Sequence, residues 1–161
     1  AIWAAMAFAA LGDGERAWAI ADMINPVNHA LSPEAVAIYR VEPYVMAADV
    51  YAADPHTGRG GWSWYTGSAG WMYRLLLESL LGFTRTGDTL RIRPCMPPEW
   101  RDFVIDYRFG ETSYHIVVER SPADGGRPDS LVTLDGAFCR DGVVVLVDDR
   151  QPHRVEVSLP G

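Results

Sequence analysis

The residues best placed to do chemistry lie between Gly58 and Trp71, a stretch reading GRGGWSWYTGSAGW. Gly58, Gly60 and Gly61 make its first half pliant, and Trp62, Trp64 and Tyr65 supply aromatic faces. Thr66-Gly67-Ser68 then leads into an apolar run from Trp71 to Leu81. A helix that begins at this step leaves its first amides without intrahelical acceptors, at the positive end of the helix dipole, where anions bind. Aromatic planes beside such amides suit a neutral sugar next to an oxyanion. The same residues also suit a buried aromatic cluster capped by a glycine turn, and spacing alone does not separate the two.

The flanking residues offer further contacts. His56 and Arg59 share the Asp54–Gly61 loop, where His56 can touch a sugar. Arg59 has planar donors for a hydroxyl or a phosphate, or it can tie the loop to Asp54. In an extended loop Trp62 and Trp64 face the same way, either stacking on pyranose rings or packing on neighbouring helices. Glu42 and Asp49 are seven residues apart, two turns of a continuous helix, and carboxylates on one face hold sugar hydroxyls well. The four histidines, His29, His56, His115 and His153, lack paired ligand spacing, so no metal site is expected. Arg74 and Glu78 are spaced for an ion pair along a helix.

Composition narrows the class. With 48% hydrophobic and 22% charged residues in 161, the chain can bury a core and is not a disordered tail. A net charge of -7 argues against a nucleic-acid surface. No apolar run approaches the ~20 residues of a membrane span. Cys95 and Cys139 are expected as free thiols. Ala1 begins abruptly inside an apolar stretch, so the chain is expected to be the C-terminal piece of a longer protein.

Two halves must position these residues. The first reads as helices: Ile2–Leu11, apolar all round; Glu15–Ile24, with Ala17, Ile20, Ala21 and Ile24 on one face; Ser32 to about Arg40; Tyr44–Tyr51; and Ser68–Leu81, stopped by Gly82. The second alternates with period two at 89–93, 103–109, 113–119, 130–134, 142–146 and 153–159, separated by glycine turns. The fold class is therefore α+β in two parts, helices in 1–84 and an antiparallel sandwich, jelly-roll-like, in 85–161.

The quoted residues carry a specific resemblance. Glu42-Pro43-Tyr44-Val45, Gly58 to Arg74, Leu81-Gly82 and the Pro94-Cys95-Met96-Pro97 step before Trp100 resemble the C-terminal part of glycoside phosphorylases of the cellobiose phosphorylase type, glycoside hydrolase family 94. Ile24-Asn25-Pro26-Val27-Asn28-His29 and Ala47-Ala48-Asp49-Val50-Tyr51 are most similar to the phosphorylase region of cyclic β-1,2-glucan synthases. The resemblance implies the final helices of an (α/α)6 barrel followed by the sandwich. It implies inverting phosphorolysis of a β-glucoside, with inorganic phosphate as co-substrate, no other cofactor, and α-glucose 1-phosphate as product or donor. Thr66 and Gly67 match the family's phosphate-binding step, with Ser68 either contacting phosphate or capping the helix. The general acid and the other phosphate ligands, an Arg and a His, would lie upstream of Ala1, so no catalytic residue is expected here and the piece alone should be inactive. The pattern at Ala47-Ala48-Asp49 departs from cellobiose-specific members. Expected partners are a β-glucan oligosaccharide, phosphate and the rest of the barrel and upstream domains. The expected location is the cytoplasm, with a parent anchored in the bacterial inner membrane as one option. A carbohydrate-binding or structural module without catalysis, and a hydrolase on the same barrel, are the alternatives.

Overall fold

The computed structural model describes residues 1–64, 66–97, 99–121 and 130–160, and of Thr66 the backbone only. The roles expected of Tyr65 and of the Thr66 side chain therefore fall outside the described residues. The chain divides into two compact units, Ala1–Leu80 and Leu81–Gly161.

Helices α1 (Ile2–Ala10) and α2 (Gly14–Ile24) open the first unit and pack on each other. Asp13 caps α2 by accepting from the Arg16 amide at 3.1 Å, and Pro26 ends it. Of the face expected on α2, Ala17 and Ala21 are buried and Ile20 and Ile24 pack beside them. A 3-10 turn (Pro26–Ala30) leads to α3 (Pro33–Tyr39), whose cap is Ser32 and whose exit residue Arg40 is left-handed at φ 58°. Helix α4 (Thr66–Arg74) starts two residues before Ser68 and continues as π-helix over Leu75–Leu80. The wider winding brings residues five apart towards one side. Both Leu75 and Leu80 are fully buried as a result.

One expected helix is absent. Residues 44–51 are irregular, and their backbone pairs with the glycine segment instead. Ala48 N–H donates to Trp62 O at 2.7 Å, Gly61 N–H to Asp49 O at 2.9 Å and Tyr51 N–H to Arg59 O at 2.9 Å, around a bridge between Val50 and Gly60. Val45, Val50 and Tyr51 favour extended backbone, and the facing glycines offer partners close at hand. Glu42 and Asp49 therefore do not share a helical face.

The second unit is a β-sandwich. Its strands are β1 (Phe83–Thr86), β2 (Thr89–Ile92), β3 (Asp102–Phe109), β4 (Thr112–Arg120), β5 (Leu131–Leu134), β6 (Ala137–Phe138), β7 (Val143–Val145) and β8 (His153–Leu159). One sheet runs β1-β2-β7 and the other β3-β4-β8-β5-β6. Alternation on β4 buries Tyr114, Ile116 and Val118 against Leu90, Val144, Val155 and Val157 in one shared core. Strands β1 and β6 were not anticipated. The sheets are also not wholly antiparallel, because β8 lies parallel to β4, with Ile116 opposite Val155. The long connection through β5, β6 and β7 lets β8 return in the same direction as β4. Gly82, at φ 68°, lies so close to Arg93 that a Cβ would meet the Arg93 carbonyl carbon. Cys95 and Cys139 are in no disulfide among the described residues.

The 146–153 segment is pinned to β4 by polar contacts. Tyr114 Oη, fully buried, donates to Val147 O at 2.9 Å and accepts from its amide at 2.7 Å. His153 stacks on Tyr114 between Asp135, 2.7 Å away, and Asp149, 3.2 Å away. The Asp135 hydrogen bond, then Asp149, raises His153 above its ordinary 6.5. Asp135 is lowered below 3.8, first by the Arg154 amide and then by His153. The stabilisation from His153 is therefore complete below pH 6.5 and is lost as pH rises through the raised value. That from Asp135 is present above pH 3.8 and is lost as pH falls. Thermal melting of the chain should drop as pH climbs above 6.5, and His153→Gln should flatten that drop. A slope unchanged in the variant would show that another group titrates.

Candidate functional site

The first unit contains a cavity of about 890 Å³, within the range that admits small organic ligands. Its walls join three elements that the sequence treats separately. Ala47 to Ala52 form one side, the first turn of α4 supplies Gly67 and Ser68, and α1 contributes Trp3. Trp3 and Trp71 meet edge to face with 5.5 Å between ring centroids, and both line the space. His29 and Tyr39 line it as well.

Local backbone explains how these residues converge. Gly60 donates to Tyr39 O at 2.8 Å, which brings the glycine segment against the end of α3. A Cβ on Gly60 would stand 2.6 Å from Val41 Cγ2 and 3.1 Å from the Tyr39 ring, so only glycine lies this flush. A Cβ on Gly61 would run into the Asp49 carboxylate, so glycine leaves that carboxylate room to lie against the backbone. Ser68 is the third residue of α4, inside its first turn, and so is not the helix cap. The amides of Gly67 and Ser68 belong to the group that lacks intrahelical acceptors. Beside Gly67 the space is open, with no atom within 4 Å of a Cβ position.

Of the residues singled out from sequence, Asp49, Gly67 and Ser68 come together at this cavity. Glu42, His56, Arg59, Trp62 and Trp64 do not line it. Glu42 instead accepts from Ser63 Oγ at 3.1 Å and from Trp64 Nε1 at 3.2 Å. Its carboxyl is held below the ordinary range by its own backbone amide first, then by Ser63 and Trp64. Trp62 and Trp64 are 70% and 77% exposed, so neither is core packing within this unit. Trp64 is left-handed at φ 68°, which breaks the extended alternation expected to align the two indoles. His56 lies against Tyr51 with 6.0 Å between centroids. Asp54 accepts from Thr57 Oγ1 at 3.1 Å, and Arg59 is exposed. Arg74 pairs with Glu78 at 2.8 Å and lies over Trp71. Among the described residues no group of His, Cys, Asp or Glu could hold a metal ion, and no helix is long and apolar enough to cross a membrane.

Sequence reasoning passed over Trp3, His29, Tyr39 and Trp71 as cavity residues. The one sequence signal near His29 is the Asn25-Pro26-Val27-Asn28-His29 run, which carries the family resemblance and says nothing about a cavity.

A helical unit whose glycine loop and helix start share one cavity, joined to a β-sandwich, defines the class to which the chain can be compared. Residues 1–82 match the family described as Glycosyl hydrolase 94 superfamily, catalytic domain, and the chain belongs to that superfamily. It is 49% identical over 125 residues to the cyclic beta-(1,2)-glucan synthase NdvB of Rhizobium meliloti (strain 1021), covering 78% of this chain and 4% of that protein. It is 30% identical over 119 residues to the solabiose phosphorylase of Paenibacillus borealis, covering 73% and 15%. It is 35% identical over 119 residues to the N,N'-diacetylchitobiose phosphorylase of Vibrio furnissii, covering 73% and 14%. The chain therefore spans between 4% and 15% of these relatives and is a module related to glycoside phosphorylases and a β-glucan synthase.

The contact at Gly61 makes a direct test of how Asp49 is held. Gly61→Ala should swing the Asp49 carboxylate away while costing less than about 1 kcal/mol, since a surface side chain can rotate. A crystal structure and a urea melt of the variant would check both. An unmoved carboxylate would refute the packing account.

Proposed function

We propose that this chain is the C-terminal part of an inverting β-glucoside phosphorylase module, acting on β-1,2-linked glucan within a cyclic glucan synthase. The observation that carries the reading is the start of α4 opening, through Gly67 and Ser68, onto the cavity that Asp49 also lines. A helix start offers amides and dipole to an anion, and an adjacent carboxylate offers acceptors to sugar hydroxyls.

In this reading Thr66, Gly67 and Ser68 hold inorganic phosphate at the anomeric carbon of the terminal glucose. A phosphate oxygen forms the new bond to that carbon as the glycosidic carbon–oxygen bond breaks on the opposite face. A general acid from outside this chain delivers its proton to the leaving oxygen. Phosphate is already anionic, so no base is needed to activate it. The product is α-glucose 1-phosphate, and the reverse direction uses it as donor. Asp49 binds a sugar hydroxyl. Trp62 and Trp64, both exposed and the latter held through Glu42, contact saccharide beyond the cavity, with Arg59, His56 and Tyr65 close by in sequence. The first unit supplies closing helices of an (α/α)6 barrel, and the parent works at the cytoplasmic side of the cell. Alone the chain turns nothing over.

The test is phosphorolysis by the full-length protein carrying this chain. β-1,2-Glucan plus phosphate should yield glucose 1-phosphate, whereas phosphate-independent glucose would make it a hydrolase and binding without turnover a carbohydrate-binding module. Thr66→Val should raise KM for phosphate by at least about tenfold, as expected for losing a hydrogen bond to a charged group. KM for the saccharide should stay within about twofold. If phosphate KM does not move, Thr66 is not a phosphate ligand.

A further inference from the structure

His29 has no part in the chemistry described so far, yet it lines the same cavity as Asp49 and Ser68. Its ring is held in two ways. One face stacks on Tyr39, with 4.8 Å between centroids and 18° between planes, and Tyr39 is itself buried. Nε2 lies 2.9 Å from Met23 O at the end of α2. A carbonyl oxygen only accepts, so Nε2 is the nitrogen that donates here, and in the neutral ring that leaves the lone pair on Nδ1. Among the described residues Nδ1 has no partner.

A neutral imidazole locked in one tautomer on a cavity wall is an acceptor of fixed direction. It repels an anionic oxygen and welcomes a hydroxyl, so it distinguishes sugar from phosphate within one cavity. We propose that His29 is a specificity residue that accepts a hydrogen bond, through Nδ1, from a hydroxyl of the bound β-linked saccharide. This deepens the function proposed above and rests on its saccharide. The fixed ring is what a discriminating acceptor needs, because a site built around a hydroxyl penalises any ligand that lacks it.

Two substitutions separate this role from a purely structural one. Gln places an amide near the position of Nε2, keeping the donation to Met23 O but losing the Nδ1 acceptor. Asn places its amide near Nδ1, keeping an acceptor there but losing the Met23 contact. Calorimetric titration of the full-length protein with a β-1,2-linked glucose disaccharide, without phosphate, reads affinity independently of turnover. His29→Gln should weaken binding about five- to tenfold, the effect of one lost hydrogen bond, with little change in melting temperature. His29→Asn should melt earlier yet bind within about twofold of the unmodified protein. Undiminished affinity in the Gln variant, or the same loss in both, overturns the assignment. Binding that depends on His29 without any phosphorolysis would sustain it while removing the phosphorylase reading. No saccharide binding by the unmodified protein would remove both.

Discussion

Residues 48–51 and 58–62 exchange backbone hydrogen bonds across a short irregular ladder, and the geometry of the cavity wall depends on that exchange. The ladder determines where Asp49 stands, because Gly61 lies directly against its carboxylate. It also sets the approach to α4, since the chain passes from Trp62 through Trp64 into the first helical turn. Glycine permits three close contacts: Gly58 on Ile38, Gly60 on Val41 and Tyr39, and Gly61 on the Asp49 carboxylate, which alone of these neighbours is free to swing aside. Glycine in this segment is thus less a hinge than a means of close packing.

The cavity combines an apolar wall with a few fixed polar points. Trp3 and Trp71 meet at a right-angled corner, with Asp49, Ser68 and His29 distributed around the same space. The proposed saccharide would meet such a surface with its apolar C–H faces and its rim of hydroxyls. The Glu42, Ser63 and Trp64 cluster is separate in kind. There the carboxylate is engaged with its own loop, so its task is to hold an indole in place. Relatives in this superfamily include both phosphorylases and a glucan synthase.

Helix boundaries marked by strong local chemistry were readable beforehand: Ser32-Pro33 opens α3, and Asn25-Pro26 closes α2. Alternation was equally plain in β3, β4 and β8, where every second side chain enters the core. The misread segment, 44–51, fails for a physical reason. Its backbone partners lie some ten residues away in the glycine loop, and no local pattern reports a pairing of that kind. The π winding after Arg74 is likewise not marked in the sequence, since it goes together with the burial of Leu75 and Leu80 beside Ala5, Ala17 and Ala21. Within the site, Asp49, Gly67 and Ser68 were accessible from residue type and position. Trp3 and His29 were not, because their contribution comes from helix packing that draws the start of α1 and the turn after α2 to one cavity. Five other candidates drew attention by chemistry alone and lie elsewhere, since residue type says nothing about direction.

The position of β8 has a consequence for how the sandwich comes into being. It lies between β4 and β5, so without it the five-stranded sheet is two separate ribbons, β3-β4 and β5-β6, each with an unsatisfied edge. During synthesis those ribbons leave the ribosome before the strand that joins them. The nascent unit must therefore wait, with Ile116 and Val132 still lacking their neighbours Val155 and Val157, until β8 threads into the gap.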